Sequence, residues 1–270
     1  MSSVQLAITI GIDPEAFAIG PLSVRWYGLM YVVGIMAGIL VVQRMAPRLG
    51  ASVDLLWDLF PVALGAGLLG GRLYYVVQNE PLDYLRDPIE IVAVWHGGMA
   101  FFGAIIGVTA AIVGFAWRRR ADAWPILDAV ALFAAVGQPF GRIGNIINGD
   151  VIGYPTSVPW GTAYTHERAF APELGVPYHP AAAYAIVANV LLLAVLAVVI
   201  RGRLRSGVVF ATYLIGYSAT QFVVFFWRAN SVTLFGLKQA QLTAVLVGIV
   251  GLGVLVWLQR RDAARAYPSG

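Results

Sequence analysis

A chain of 270 residues with 59% hydrophobic and only 12% charged side chains does not suit a water-soluble globule, which would carry roughly 25% charge. It contains no cysteine, which excludes disulfides, thiolate metal sites and a cysteine nucleophile. The net charge of +4 would point to an acidic partner in a soluble protein, but here the placement of the charges says more than their sum.

The first twenty residues carry Asp13 and Glu15, no Lys or Arg, and no basic start of a secretory signal, so no cleavable leader is expected. Apolar runs long enough to cross a bilayer follow at about 22–43, 54–77, 92–117, 124–146, 180–200, 206–227 and 239–258. Arginines cluster after every second run: Arg44 and Arg48, Arg118 to Arg120, Arg201 to Arg205, and Arg260 to Arg265. One side thus collects 11 of the 18 basic residues, and basic connections stay in the cytoplasm. The expected fold is therefore all-α, a polytopic membrane bundle of about seven transmembrane helices with the N-terminus outside and the C-terminus cytoplasmic. Residues 1–270 are expected to form one transmembrane domain with an extracytoplasmic loop at about 150–180. That loop is rich in Pro, Gly and aromatics, and a segment of such length without clear secondary structure is usually functional. Glycines four apart, Gly34 with Gly38, Gly67 with Gly71 and Gly103 with Gly107, read as close-packing points between helices.

Ionisable residues inside a membrane are costly and mark function by default. Arg25, Arg72, Arg86, Arg142 and Arg228 lie in or near the apolar runs, away from the basic clusters. Snorkelling to the headgroups or pairing with Asp58, Asp128 or Asp150 is the plain alternative for each. Arg142 suits an anchor least, because it stands in Gly141-Arg142-Ile143-Gly144-Asn145-Ile146-Ile147-Asn148-Gly149-Asp150. Several guanidinium groups near one headgroup level form a phosphate site, since the planar fork of Arg matches phosphate oxygens. A phospholipid head is the ligand this suggests. His96, His166 and His179 are open either to proton transfer or to structural hydrogen bonds. No metal spacing, phosphate-binding glycine loop or nucleic-acid signature occurs.

The segment from Gly141 to Asp150 resembles the hallmark GRxGNFxNxE of the prolipoprotein diacylglyceryl transferases. Arg25-Trp26-Tyr27-Gly28 resembles their first-helix WYG element, and Gly97-Gly98-Met99-Ala100-Phe101-Phe102-Gly103 resembles GGMSFHG. Pro159-Trp160-Gly161 and His179-Pro180 with Tyr184 resemble later features, and the order agrees from about residue 20 to 260. The resemblance implies a seven-helix enzyme of the bacterial inner membrane. Such an enzyme moves the diacylglyceryl group of phosphatidylglycerol onto the lipobox cysteine of a prolipoprotein signal peptide. It forms a thioether, releases glycerol phosphate, and needs no metal or organic cofactor. Membrane lipid and the prolipoprotein are the implied partners, and nucleic acid is not.

By the same resemblance Arg142 and Arg228 would hold the departing phosphate, Asn145 and Asp150 would orient the headgroup or the arginines, and Tyr27 would line the site. Asp128 matches an acidic residue preceding the hallmark, and Asn148, Gly98, Gly103 and Arg72 complete the expected substrate-binding set. Phe102 stands where the family has a histidine, so His96 or His179 would have to serve as base. Asp150 replaces a glutamate, Ala181 to Ala183 and Ala185 remove a Gln and a Glu, and Ala229-Asn230-Ser231 follows Arg228 where an acidic residue is usual. Three readings stay open: the transferase, with this or another donor or acceptor; a non-catalytic phospholipid-binding paralogue; and a transporter or channel.

Overall fold

The computed structural model describes residues 7–20, 22–78, 84, 86–93, 100–202 and 205–266. Seven α-helices occur among them: α1 Trp26–Leu49, α2 Val53–Gln78, α3 Phe101–Arg119, α4 Ala123–Asn148, α5 Ala181–Arg201, α6 Val208–Val224 and α7 Gln239–Ala266. Five contain stretches long and apolar enough to cross a membrane, within Trp26–Leu49, Val53–Val77, Ala123–Asn148, Ala181–Arg201 and Gln239–Arg261, and Val208–Val224 is a shorter apolar helix. The protein is a polytopic helical membrane protein, as its composition requires. The third apolar run is shorter as a helix than its hydropathy suggests. Pro88–Ile91 forms a 3-10 turn, and α3 starts only after Ala100, whose backbone is extended.

The chain divides into two compact units, Ala46–Leu127 and the combination of Met1–Met45 with Asp128–Gly270. In the first, α2 and α3 meet at glycines. A Cβ on Gly103 would collide with the Gly70 carbonyl, and one on Gly107 with the Ala66 carbonyl. Without side chains there, the two backbones approach closely enough for dispersion to hold them where no hydrophobic effect operates. An exposed ion pair, Arg119 to Asp58 at 2.6 Å, ties the α3 end to α2.

The second unit holds α1 and α4 together along a similar seam. Gly34 faces the Gly137 carbonyl, Gly38 the Phe133 ring, Gly141 the Tyr31 ring and Gly144 the Tyr27 backbone. Gly141 and Gly144 are thus contact points for α1, whereas Gly149 lies against Tyr164, Ala169 and Phe170. Across the other helices, Leu192 of α5 lies on Gly216 of α6, and Leu214 and Ile215 of α6 lie on Gly251 of α7.

Short strands decorate one end of this unit. β1 Ile8–Ile10 pairs in parallel with β4 Thr162–Tyr164, which pairs antiparallel with β5 Pro177–Tyr178. Hairpins join β2 Glu15–Ile19 to β3 Leu22–Arg25, and β6 Val232–Leu234 to β7 Leu237–Lys238. The second hairpin turns through Phe235 and Gly236, both at positive φ (52° and 73°), the signature of a type I′ turn. The 150–180 connection is therefore a folded element with buried Tyr164 and Tyr178, although the sequence suggested a loop without secondary structure. Its strands are two or three residues long, and its partner β1 lies some 150 positions away, so no local pattern announces them. Pairing of β1 with β4 also fixes topology: the N-terminal segment and the α4–α5 connection share a side.

Candidate active site

The α4–α5 connection begins where α4 ends, and its first residues are threaded between two other segments. Gly153 N donates to the His179 carbonyl at 2.9 Å, Tyr154 N donates to the Trp227 carbonyl at 3.0 Å, and Gly153 forms a β-bridge with Arg228. A Cβ on Gly153 would lie 2.6 Å from the Cβ of His179 and would also strike the Trp227 carbonyl. Glycine is needed there because two backbones pass on either side. This three-layered ladder brings the segments of His179 and Arg228, distant in sequence, to the chain that leaves α4 just after Asp150.

On α4 itself, Arg142 donates through Nη1 to Asn145 Oδ1 at 3.2 Å. Asn145 Nδ2 then donates to both Asp150 oxygens, each at 3.1 Å. The amide is 4% exposed and bridges a cation to an anion without letting them pair directly. Tyr217 of α6 lies within hydrogen-bonding reach of Arg142, and Tyr27 of α1 lies in the electrostatic range of Arg142 and Asp150. Tyr27 also shares a 2.9 Å hydroxyl hydrogen bond with Tyr31.

Arg228 follows α6, in the turn beyond its last helical residue. Its Nε is buried and has no hydrogen-bond partner, and its guanidinium stacks 4.7 Å over Phe225. Burial first, and then the like charge of Arg142, lower its pKa to about 10, while Asp150 works in the opposite direction. It is still a cation at neutral pH. Among the described residues neither Arg142 nor Arg228 forms an ion pair with a carboxylate. Two close guanidinium groups that repel each other, one with a buried unpaired N–H, are suited to an anion with several oxygens.

His179 lies across Gly153 from Arg228 in the ladder. Its Nδ1 is 3.0 Å from Tyr184 Oη, which also accepts the Trp160 indole N–H at 2.9 Å. Tyr184 packs edge-on against Trp227, so the imidazole is oriented through a chain of aromatics. With Nδ1 engaged, Nε2 is the nitrogen available for proton transfer.

Other residues singled out in the sequence take up different surroundings. Asn148 Oδ1 accepts from Arg25 Nη1 at 3.1 Å, and Arg25 stacks 4.5 Å over Phe170, which ties the long connection to the α1 start. Asp128 is 1% exposed and accepts at 2.7 Å from both Gly207 N and Phe210 N. It caps the N-terminus of α6 from the neighbouring helix. Fourteen residues separate it from Arg142, about 21 Å along α4. In the other unit, Arg72 is 3% exposed, donates to the carbonyls of Ile91 and Glu90, and approaches the Glu90 carboxylate at 3.9 Å. Gly103 is the close-approach point of α3 on α2 described above. His96 and Gly98 lie outside the described residues. Sequence reasoning missed Gly153, Tyr217 and Trp227, since an ordinary glycine and two aromatics in a chain rich in them carry no signal without their partners.

The fold and the site together define a multi-pass helical membrane protein with a partly buried, arginine-centred polar site at the end of its helices. The model of the family "Prolipoprotein diacylglyceryl transferase" matches residues 14–257, and the chain belongs to that family. It is similar to a protein of Geobacter sulfurreducens, 38% identical over 93% of this chain and 96% of that one. It is also similar to proteins of Synechococcus elongatus, 36% identical over 91% and 87%, and of Azospirillum brasilense, 34% identical over 96% and 100%. All three are named phosphatidylglycerol–prolipoprotein diacylglyceryl transferase.

Proposed function

We propose that this protein is a diacylglyceryl transferase that acts on phosphatidylglycerol and on the lipobox cysteine of prolipoprotein signal peptides in the bacterial inner membrane. The observation that carries the reading is the pair Arg142 and Arg228, close enough to repel, unpaired with any described carboxylate, and with the Arg228 Nε–H buried and unmatched. In the reaction, the cysteine sulfur attacks the diacylglyceryl carbon bearing the phosphate ester. A carbon–sulfur bond forms, the carbon–oxygen bond breaks, and the electron pair leaves on glycerol phosphate. Negative charge grows on that oxygen, and cations fixed beforehand stabilise it more in the transition state than in the substrate.

Asn145 holds Arg142 in place and occupies Asp150, which keeps the carboxylate from competing with the phosphate. Tyr27 and Tyr217 line the approach from α1 and α6. His179 takes the thiol proton through Nε2, with His96 as the other histidine to test. The local positive charge also favours the thiolate. In this reading residues 1–270 act as one transmembrane domain, with the N-terminal strands and the 150–180 connection outside the cell and the C-terminus in the cytoplasm. The basic clusters at the opposite helix ends support that orientation.

Phe102, in a position where the family resemblance leads one to expect histidine, favours a second reading: a phospholipid-binding paralogue without transfer. Complementation of a strain depleted of its own transferase separates the two. Thioether lipidation of a reporter prolipoprotein is expected. An inserted protein that binds phosphatidylglycerol but leaves the reporter unmodified would favour the second reading.

A further inference from the structure

Lys238 is a buried cation that the site described above does not use. It is 6% exposed and stands at the end of β7, immediately before α7. Its ammonium donates to the Phe225 carbonyl at 2.6 Å and to the Arg228 carbonyl, and it lies 4.8 Å from the Tyr154 ring centre. Two carbonyls and one aromatic face thus meet its three N–H bonds. Among the described residues no carboxylate pairs with it. An exposed lysine would remain in water, so burial of this one needs a structural reason.

The reason lies in what the three partners belong to. Phe225 is the C-cap of α6, where backbone carbonyls lack helical partners and the helix dipole is negative. Arg228 is the cationic residue of the site. Tyr154 follows Gly153, the residue bridged to Arg228. The backbone of Lys238 is itself locked: its N–H donates to Gln241 Oε1 at 3.0 Å, the reverse half of a capping box. Gln241, 1% exposed, then donates through Nε2 to the Phe222 carbonyl at 3.1 Å. The start of α7 is therefore pinned to the end of α6, and the ammonium group reaches from there to the turn that carries Arg228.

We propose that Lys238 is a positioning residue: by clamping the Arg228 carbonyl, the α6 C-terminus and Tyr154 together, it fixes where the Arg228 guanidinium meets the phosphate of the lipid donor. The proposal rests on the transferase reading and names no contact between Lys238 and substrate. Arg228 has lost the acidic neighbour that the resemblance would lead one to expect, with Ala229-Asn230-Ser231 in its place. A clamp on the main chain holds the turn without placing a carboxylate where it would compete for the guanidinium.

The test is a double-mutant cycle on the purified full chain in nanodiscs, with phosphatidylglycerol at varied mole fraction and a lipobox peptide as acceptor. Lys238→Met is expected to lower turnover by roughly 10-fold or more and to raise the phosphatidylglycerol concentration at half-maximal rate. A loss of folded protein would lower turnover alone. In an Arg228→Lys background, Lys238→Met is expected to add less than about 2-fold, because the group it positions is already changed. Full additivity, or Lys238→Met activity within about 2-fold of the unmutated chain, overturns the proposal. Where Lys238→Met does not fold, Lys238→Gln, which retains an N–H donor, decides by the same cycle. Absence of transfer by the unmutated chain refutes the activity instead. Retention of phosphatidylglycerol in micelles then reads the same coupling.

Discussion

Replacing Asn145 by aspartate changes almost no volume but reverses the chemistry of the bridge. The native amide accepts from Arg142 and donates to both oxygens of Asp150. In Asn145→Asp, the new carboxylate can accept from Arg142 as a full ion pair, but it has no proton to give Asp150. Two bonds to a charged group are lost, each worth about 1.5–3 kcal/mol, and two carboxylates face each other across about 3 Å. The paired Arg142 must also release its new partner before it can bind phosphate. Together these effects predict a loss of at least about 100-fold in transfer at neutral pH, or about 2.7 kcal/mol in the barrier.

The pH response distinguishes this cause from general damage. Two carboxylates at such a distance cannot both ionise easily, so one is protonated well above the usual carboxylate range. A protonated carboxyl can donate to its neighbour as the amide did. Transfer by Asn145→Asp is therefore expected to recover as pH falls between about 8 and 5, while the unmutated chain slows or holds steady. Initial rates of lipobox-peptide lipidation across that range provide the measurement. Neutral-pH activity equal to the unmutated chain, or a loss with no recovery in acid, would refute the argument that Asn145 separates a cation from an anion.

Gly153→Ala puts a methyl group between His179 and the Trp227 carbonyl, so the ladder must open; a stability loss of about 1–3 kcal/mol in thermal unfolding and a larger loss of activity are expected. An unchanged melting temperature and rate would show that the ladder is loose. Tyr164 is 2% exposed, and burial pushes its pKa up to about 12, above its ordinary 10.0. Its neutral phenol leaves stability intact below pH 10; the unfolded chain ionises first, so stability falls as pH rises from 10.0 towards about 12. Tyr164→Phe should flatten that alkaline decline in unfolding midpoint, and an identical slope would contradict the burial argument.

Spans and charged anomalies were legible in the sequence because both follow from the cost of polarity in lipid. Arg142 and Arg228, 86 positions apart, were singled out on that ground, and they come within electrostatic range of each other. The same ground also raised Arg25 and Arg72, which satisfy other elements: an intramembrane cation looks the same whether it awaits a phosphate or holds a turn. Asp128 shows the limit again, since its cap on α6 depends on backbone N–H groups some 80 residues away. The short strands, the need for glycine at position 153 and the buried ammonium of Lys238 were not legible. Each is created by a distant backbone passing nearby, and the local residue type carries no trace of it.

The central claim is that Arg142 and Arg228 act on the phosphate of a lipid donor during transfer to a thiol. The most direct measurement is mass spectrometry of a lipobox peptide incubated with the purified chain and phosphatidylglycerol, alongside Arg142→Ala and Arg228→Ala. The account predicts a peptide heavier by one diacylglyceryl group with the unmutated chain and no such product with either variant. An unmodified peptide in every case, or full product from either variant, would contradict it.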